Sequence, residues 1–309
     1  MTAGLRYDGR VAVVTGAGRG LGRAYARLLA SRGAKVVVND PGVSMDGNGA
    51  DAGPASDVVR EITADGGEAV ACTESVATAE GGRGIVSSAL DHYGRLDILV
   101  HNAGIVRSAP LTEMTYEDFD AVLDVHLRGA FHVVRPAFPV LRDAGYGRVV
   151  LTSSIGGLYG NQGVANYAAA KAGIVGLSNV VALEGAACGV RCNVIVPAAL
   201  TRMAAGIDTS AYPPMEPELA APVVGWLAHE SCTITGEMLV SIAGRVARMF
   251  LAETPGVYRP SWSVEQVAED LGAIRDTGAP WILPVVPSAH VDHIRRSFAI
   301  ATEEEQHVG

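Results

Sequence analysis

Three side chains in the middle of the chain have types and a spacing that suit proton transfer. Tyr167 and Lys171 stand four residues apart, so they share one face if this segment is a helix. A tyrosine hydroxyl ordinarily has a pKa near 10, and a lysine ammonium one turn away favours the phenolate. Ser154, thirteen residues before Tyr167, could hydrogen-bond the same reacting oxygen. We therefore predict an acid–base reaction at Tyr167, assisted by Lys171 and Ser154.

A Tyr-x-x-x-Lys pair can also be an exposed pair on a helix surface. The composition counts against that alternative, because Lys35 and Lys171 are the two lysines among 24 basic residues. Arginine stays protonated in proteins whereas lysine can lose its proton, so a proton relay needs lysine. The choice of Lys at position 171 therefore favours chemistry over a surface pair.

A glycine-rich turn near the N-terminus predicts a dinucleotide site. The apolar run Val11 to Thr15 precedes the glycines at 16, 18, 20 and 22, and Arg23 to Ser31 then has helical periodicity. Glycines let the backbone approach a pyrophosphate, which then lies at the helix N-terminus. The next strand, Lys35 to Asn39, ends at Asp40, whose carboxylate can accept hydrogen bonds from an adenine-ribose diol.

Strands and helices alternate from the glycine turn to about Gly244. This alternation predicts an α/β fold, a doubly wound and Rossmann-like parallel sheet of about seven strands with right-handed crossovers. The further strands are predicted at Glu68 to Cys72, Leu96 to His101, Arg148 to Leu151, Arg191 to Val196 and Glu237 to Ser241. Ligands bind beyond the carboxyl ends of such strands. Five elements place candidate residues there: Gly16, Asp40, Asn102, Ser154 and Pro197.

Two segments depart from short, regular connections. Pro41 to Pro54 is a Gly- and Asp-rich loop that is longer than most strand-to-helix connections. Thr115 to Ala144 has helical periodicity but contains Pro136 and Pro139, so we expect a kink or break at these prolines.

After Gly244 the alternation stops, which predicts a dinucleotide-binding domain at 1–244 and a helical extension at 245–309. The extension has two helical candidates, Val264 to Thr277 and Ala289 to Glu304, joined by a proline-rich link. Its apolar residues are too many to leave in water, so we expect it to pack on the domain or on a partner subunit. They include Trp262, Val264, Val267, Leu271, Ile274, Trp281, Ile282 and Ile294.

Composition excludes several function classes. The 309 residues are 49% apolar and carry a net charge of −9, which argues against a nucleic-acid or anionic-membrane surface. No stretch is long and apolar enough to span a bilayer. The four cysteines lack paired spacing and no His, Cys or carboxylate set suits a metal, so we expect reduced thiols, no metal and a cytoplasmic protein.

The combination of motifs resembles the short-chain dehydrogenase/reductase family over about residues 8 to 244. The motifs, in order, are Thr15-Gly16-x-x-x-Gly20-x-Gly22, Asn102-Ala103-Gly104, Ser154 and Tyr167-x-x-x-Lys171. The resemblance implies a nicotinamide dinucleotide as cofactor. It assigns Ser154 to orienting the substrate oxygen, Tyr167 to proton transfer, and Lys171 to holding the nicotinamide ribose and lowering the Tyr167 pKa. The implied cofactor contacts are Gly16, Arg19, Gly20, Leu21, Gly22, Asp40, Ser75, Val76, Asn102, Ala103, Gly104, Tyr167, Lys171 and Pro197.

One departure narrows the resemblance. The family usually has Asn-x-x-Gly where this chain reads His126-Leu127-Arg128-Gly129. Together with Val38-Asn39-Asp40, the residues 159–167 and 226–232, this is similar to the (3R)-hydroxyacyl-CoA dehydrogenase region of peroxisomal multifunctional enzymes type 2. That branch implies NAD-dependent oxidation of a (3R)-hydroxyacyl-CoA, of fatty or steroid side-chain type, by a homodimer or homotetramer. Arg107, Arg202, Arg245 and Arg248 could meet CoA phosphates, although a solvated surface position is favoured for any one of them.

Alternatives remain open at this point. An NADPH-dependent 3-oxoacyl-carrier-protein reductase is favoured by Arg19, which could reach a 2′-phosphate, and disfavoured by Asp40, which would repel it. A hydroxysteroid dehydrogenase and a cofactor-binding scaffold without turnover are the others.

His126 is the fourth candidate catalytic residue. The resemblance implies a relay from Tyr through Lys to a water that bonds the main-chain carbonyl at this position. Every residue keeps its carbonyl, so His126 need not break that relay. Its side chain would instead hold the helix bent, so that the carbonyl is free of its i+4 partner. The alternative is a histidine that only packs.

Overall fold

The computed structural model describes residues 4–201 and 211–308, and from residue 303 it describes the backbone alone. The chain forms two compact units, one up to Arg248 and one from Met249 onward. The division lies a few residues beyond the predicted position 244, because a strand that the sequence did not indicate follows Gly244.

The first unit is built on an eight-stranded sheet in the order β3-β2-β1-β4-β5-β6-β7-β8. The strands are β1 Val11–Thr15, β2 Lys35–Asn39, β3 Glu68–Cys72, β4 Ile98–His101, β5 Gly147–Thr152, β6 Val190–Ala198, β7 Met238–Ile242 and β8 Arg245–Met249. The pairings from β3 through β7 are all parallel, which confirms the predicted fold class. The eighth strand escaped prediction because it is short and largely solvent-exposed, with arginines at two of its five positions.

Helices flank this sheet. They are α1 Gly20–Ser31, α2 Gly53–Ala64, α3 Ala79–Tyr93, α4 Tyr116–Leu123, α5 Gly129–Asp143, α6 Ile155–Leu158, α7 Ala165–Gly185 and α8 Ala221–Ala228. The central strands β1 and β4 are buried throughout, as expected for parallel strands covered on both faces. The strand order reverses between them, because the chain leaves β3 at one edge and returns beside β1. A crevice at this reversal is where doubly wound sheets bind ligands.

The long helical segment is interrupted, but not at its prolines. A π-helical turn, Asp124–Arg128, separates α4 from α5, whereas α5 continues through Pro136 and Pro139. Pro136 cannot bond the carbonyl of His132 one turn earlier. That carbonyl instead faces Gly82 of α3, where a β-carbon would lie only 2.2 Å from the oxygen. The predicted break at the prolines is therefore wrong, because helix packing accommodates them.

The second unit is helical, with one short antiparallel bridge between Glu253 and Trp281. Its helices are α9 Val264–Glu269, α10 Leu271–Ile274 and α11 Ala289–Val308. The single helix predicted at 264–277 is thus two shorter ones. Trp281 is buried, with the Arg296 guanidinium 4.1 Å above its ring. Packing of this unit on the domain or on a partner stays a prediction. In the described part of the chain, no helix combines the length and apolar character needed to cross a bilayer.

Candidate active site

The predicted proton-transfer residues lie together at the carboxyl end of β5. Strand β5 ends at Thr152, and α7 carries Tyr167 and Lys171 past that end. The Lys171 ammonium donates to the Thr152 carbonyl at 2.7 Å and lies 5.6 Å from the centroid of the Tyr167 ring. The shared helix face predicted from the spacing of four residues therefore exists.

The electrostatics of this pair differ from the expectation. Burial raises the pKa of Tyr167, and the hydroxyl of Ser154 partly offsets that rise. Burial also lowers the pKa of Lys171 to about 7, so its charge is itself unfavourable in this site. In the protein alone, burial thus outweighs the predicted effect of Lys171 on the Tyr167 pKa. Lys171 can lower the Tyr167 pKa only if a further charge or hydrogen bond in the site keeps its ammonium protonated.

The two adjacent serines have different tasks. Ser153 is buried and donates its hydroxyl to the Lys171 carbonyl at 2.7 Å, which ties α7 to the end of β5. The hydroxyl of Ser154 accepts from the Gly156 backbone at 3.2 Å and faces Tyr167. Ser154 is therefore the serine whose hydroxyl lies at Tyr167, and its action on the reacting oxygen stays a prediction.

Asn166 holds the first turn of α7, the helix that carries Tyr167, and it was not among the residues predicted from the sequence. Its side chain is fully buried, and its amide donates to the carbonyls of Arg107 and Asp118, both at 3.0 Å. Its oxygen accepts from the Tyr167 backbone at 2.7 Å. All hydrogen-bonding directions but one are used, so Asn166 fixes the backbone that carries Tyr167. The adjacency of an amide to the catalytic tyrosine was the available signal.

His126 lies on the π-helical turn and is 1% exposed. Its Nε2 is 2.8 Å from the Ile105 carbonyl and 3.2 Å from the Ile105 nitrogen, and its ring meets that of Tyr167 edge to face at 5.2 Å. Burial lowers its pKa well below the usual value, so the ring is neutral. The Nδ1 atom is buried without a partner among the described residues.

The carbonyl of His126 has two hydrogen-bond donors within the protein. It accepts from the Gly129 backbone and from Nε2 of His101 at 3.1 Å, which uses both of its lone pairs. The helix is π-helical here. A relay water would have to compete with these two donors for the carbonyl, and the relay through it stays a prediction. His101 carries no distinguishing signal in the sequence, because it is simply the last residue of a predicted apolar strand.

The glycine turn leaves a helix N-terminus open. Helix α1 begins at Gly20, and its N-cap residue Arg19 makes no side-chain capping bond. The first amide groups of the helix are thus available to an anion, which fits a dinucleotide pyrophosphate. Gly22 acts differently from the prediction, since it lets α1 approach the turn. A β-carbon there would lie 2.1 Å from the Gly16 carbonyl.

Asp40 follows β2 and is 7% exposed. Its carboxylate accepts from the backbone of Gly18 at 2.9 Å and of Gly42 at 2.7 Å. These bonds aim a fixed negative charge into the site and still leave lone pairs for a ribose diol.

One cavity of about 640 Å³ connects these groups. Of the predicted residues it is lined by Gly16, Arg19, Gly20, Leu21, Asp40, Ser75, Val76, Asn102, Ala103, Gly104, His126, Tyr167, Lys171 and Pro197. Gly22 and Ser154 are not part of this lining. The apolar wall of the cavity was not predicted. It comes from the loop after β2, the segment after β4 and the chain beyond β6. Its residues are Val43, Met45, Ile105, Leu200, Tyr212 and Met215. These residues come from connections with no local pattern.

Arg107 is engaged in the wall of the cavity. Its guanidinium donates to the Asp46 carbonyl at 2.8 Å and pairs with Asp118 at 3.0 Å. This latches the long loop after β2 to the segment after β4. Of the other suggested phosphate contacts, Arg248 pairs with Glu237, and Arg202 lies outside the described residues. No group of His, Cys, Asp and Glu in the described ranges could hold a metal ion.

Comparison with known proteins decides the family. Residues 10–210 match the family described as short chain dehydrogenase. The chain belongs to the short-chain dehydrogenase family. It is 50% identical over 259 residues to peroxisomal multifunctional enzyme type 2 of Drosophila melanogaster, an alignment covering 83% of this chain and 43% of that protein. It is also 40% identical to a hydroxyacyl-CoA dehydrogenase of Mycobacterium tuberculosis, over 75% of this chain and 77% of that protein.

A solved structure supports the same family assignment. The full-length multifunctional enzyme type 2 of Drosophila melanogaster superposes with a TM-score of 0.80 and 39% identity, over 97% of this chain and 50% of that one. The chain thus spans about half the length of that enzyme. As a family member it is an oxidoreductase that acts on CH–OH groups and binds NAD or NADP. Bound in the cavity, either dinucleotide would be held by the open end of α1 and by Lys171.

Proposed function

We propose that this enzyme oxidises a (3R)-hydroxyacyl-CoA to the 3-ketoacyl-CoA with NAD. The observation that carries the proposal is a single cavity lined both by Tyr167 and Lys171 and by the carboxylate of Asp40. The first pair suits removal of a hydroxyl proton, and the carboxylate suits a dinucleotide with an unmodified adenine ribose.

The residues divide the reaction between them. Ser154 would hydrogen-bond the substrate hydroxyl, and Tyr167 would remove its proton. Bound NAD would supply the acceptor for the hydride that leaves the carbon bearing this hydroxyl. The positive charge of Lys171 favours the tyrosinate that this step needs. Because the pKa of Lys171 is about 7 in the protein alone, any bound group that accepts a hydrogen bond from its ammonium also restores its charge.

Asp40 supports NAD over NADP. The carboxylate is held by two backbone amides, so it cannot swing away from a 2′-phosphate. Two like charges about 4 Å apart repel by roughly 4 kcal/mol at the effective dielectric of a protein surface. Arg19 also lines the cavity and would favour a 2′-phosphate, which keeps an NADPH-dependent 3-oxoacyl-carrier-protein reductase as the alternative.

The acyl-CoA class is supported by the relative named as a hydroxyacyl-CoA dehydrogenase. The apolar wall formed by Met45, Ile105 and Met215 suits an acyl chain or a steroid side chain. The (3R) configuration rests on the resemblance to the multifunctional enzymes. Cytoplasmic location and assembly as a homodimer or homotetramer stay predictions.

The test follows absorbance of the reduced cofactor during incubation with (3R)- and (3S)-3-hydroxyacyl-CoA of several chain lengths. We expect turnover of the (3R) series with NAD and at least tenfold weaker kcat/KM with NADP. Preference for NADP with a 3-ketoacyl-carrier-protein substrate would instead establish the reductase.

Asp40→Ala tests the cofactor assignment directly. We expect a higher KM for NAD and a lower KM for NADP, because both a diol acceptor and a repulsive charge are removed. The matched control is Asp51→Ala in the same loop. Asp51 also accepts a backbone hydrogen bond, from Gly53 at 2.8 Å, but it is not part of the cavity lining. Equal changes in both variants would contradict the assignment.

A further inference from the structure

His101 is a buried imidazole that the proposed reaction does not use. It is the last residue of β4 and is 1% exposed. Its Nδ1 lies 3.1 Å from the hydroxyl of Thr15, and its Nε2 lies 3.1 Å from the carbonyl of His126. One ring thus joins the end of β1 to the π-helical turn.

The direction of these hydrogen bonds follows from the chemistry of the groups. A carbonyl can only accept, so Nε2 of His101 carries the proton. Burial and the charge of Lys171 lower the pKa of His101 to about 3, so the ring is neutral and its Nδ1 is a bare acceptor. The Thr15 hydroxyl then donates to Nδ1. The Thr15 oxygen in turn accepts hydrogen bonds from the backbone nitrogens of Asn102 at 3.1 Å and Ala103 at 3.2 Å.

The held carbonyl belongs to the residue whose ring packs against Tyr167. The His126 ring keeps its place through Ile105, and it packs edge to face on Tyr167. Successive residues of a helix are rotated by about 100°, so a return of the π-helical turn to α-helical spacing would swing this ring away from the tyrosine. The bond from His101 is made outside the helix and to the carbonyl of that same residue, so it opposes such a return.

We propose that His101 is a positioning residue that holds the carbonyl of His126, thereby locking the π-helical turn and setting the His126 ring against Tyr167. His101 acts through His126 and has no contact with the reacting atoms. The inference rests on the proposed function only for its activity readout, because the geometry can be measured without substrate.

The experiment compares His101→Phe with His229→Phe. His229 is a matched control, because it is also buried and also bridges a hydroxyl and a carbonyl, at 2.8 Å to Ser231 and 3.0 Å to Arg6. It is not part of the cavity lining. Both variants should lower the melting temperature. We expect only His101→Phe to lower kcat, by about tenfold or more, with the KM for NAD changed less than threefold.

A second readout needs no substrate. Histidine-ring NMR should show His101 in the Nε2–H tautomer in the wild-type protein, and His101→Phe should shift the His126 ring signals whereas His229→Phe should not. If His101→Phe does not fold, His101→Asn replaces it, since the shorter amide can still accept from Thr15 but cannot reach the carbonyl. Unmoved His126 signals, or a kcat unchanged within twofold, would overturn the proposal. A wild-type protein inactive on hydroxyacyl-CoA would overturn the proposed function and leave the NMR result to decide this one.

Discussion

The sheet buries polar side chains in opposite ways at the two ends of its strands. The side where the parallel strands end is called the carboxyl edge below, and the side where they begin is called the amino edge. At the carboxyl ends of the strands, the Lys171 ammonium has a single backbone carbonyl as its hydrogen-bond partner in the described chain. Close to it, the Thr152 hydroxyl and Nδ1 of His126 are buried without partners among the described residues. At the amino ends, the buried Asp97 carboxylate accepts from Arg10 at 3.0 Å, from Arg95 at 2.7 Å and from the Val11 backbone at 2.9 Å.

The amino edge continues this pattern of complete pairing. The Arg10 and Arg148 guanidinium groups lie over the ring of Tyr146, at 3.7 and 4.4 Å from its centroid. Arg148 also donates to four backbone carbonyls, those of Gly147, Gly189, His229 and Glu230. Arg10, Asp97 and Arg148 thus each have several partners, so this cluster can stabilise the fold.

The difference shows where chemistry can occur. An unpaired buried atom alone does not mark a site. The Tyr25 hydroxyl is also buried and has no partner among the described residues, and it is not part of the cavity lining. At the carboxyl edge, however, unpaired or singly paired groups coincide with a cavity of about 640 Å³. Substrate and cofactor can supply the missing partners there, so incomplete pairing costs stability but leaves the groups reactive.

The largest expected effect is on turnover. Tyr167→Phe keeps the ring and removes the transferable proton, so kcat should fall by about 10²–10⁴-fold, as is typical of general acid–base groups. Tyr146→Phe makes the same chemical change at the amino edge and should leave kcat within twofold. Steady-state kinetics on both variants check this, and a Tyr167→Phe enzyme with near-normal kcat would remove the distinction between the edges.

The next effect is on stability, at the opposite edge. Asp97→Asn removes a buried charge while its arginine partners remain, so we expect the free energy of unfolding to fall by about 3 kcal/mol. Urea denaturation measures the loss, and kcat of the folded variant should stay unchanged. A large drop in kcat would show that the amino edge also serves the reaction.

Replacing Lys171, at the carboxyl edge, should raise the free energy of unfolding, whereas replacing Asp97 lowers it. The pKa of Lys171 is about 7 when folded and 10.5 when unfolded, so the unfolded chain binds more protons between these values and wild-type stability rises with pH across that window. Lys171→Met should be inactive yet more stable than wild type, by about 1–3 kcal/mol at pH 6. The gain should shrink as the pH rises toward 10. Urea titrations at pH 6, 7.5 and 9 test this, and a variant less stable at pH 6 would contradict the buried-charge argument.

The smallest expected effect is a loss of kcat that distinguishes Asn166 from a second buried asparagine, Asn193. Asn166→Ala frees the backbone before Tyr167, so kcat should fall by about tenfold, which corresponds to roughly 1.4 kcal/mol. Asn193→Ala is the control, since Asn193 also bridges backbone groups, at 2.9 Å to the Ile234 carbonyl and 3.1 Å to the Glu237 nitrogen. The Asn193→Ala variant should lose stability while its kcat stays unchanged. Equal kcat values in the two variants would show that Asn166 is only structural.

Much of this enzyme was determined by its sequence alone. The alternation of apolar runs with amphipathic segments predicts the parallel sheet, since its central strands are buried on both faces and helices cover them. The positions of Gly16, Asp40, Ser154, Tyr167 and Lys171 follow, because parallel strands deliver their carboxyl ends to one edge. These residues carry local signals: a glycine turn, an acid after a strand, and a helical spacing of four.

Tertiary structure decided what depends on contacts between distant segments. The π-helical turn exists where His101 and Ile105, from another strand and its loop, bind the backbone and ring of His126. The prolines of α5 are tolerated because Gly82 of α3 packs against the carbonyl that Pro136 leaves unbonded. The pKa values of Tyr167 and Lys171 reflect burial, which spacing on one helix cannot reveal. Periodicity reports the face that a residue occupies, whereas desolvation and hydrogen-bond partners come from the elements packed against that face.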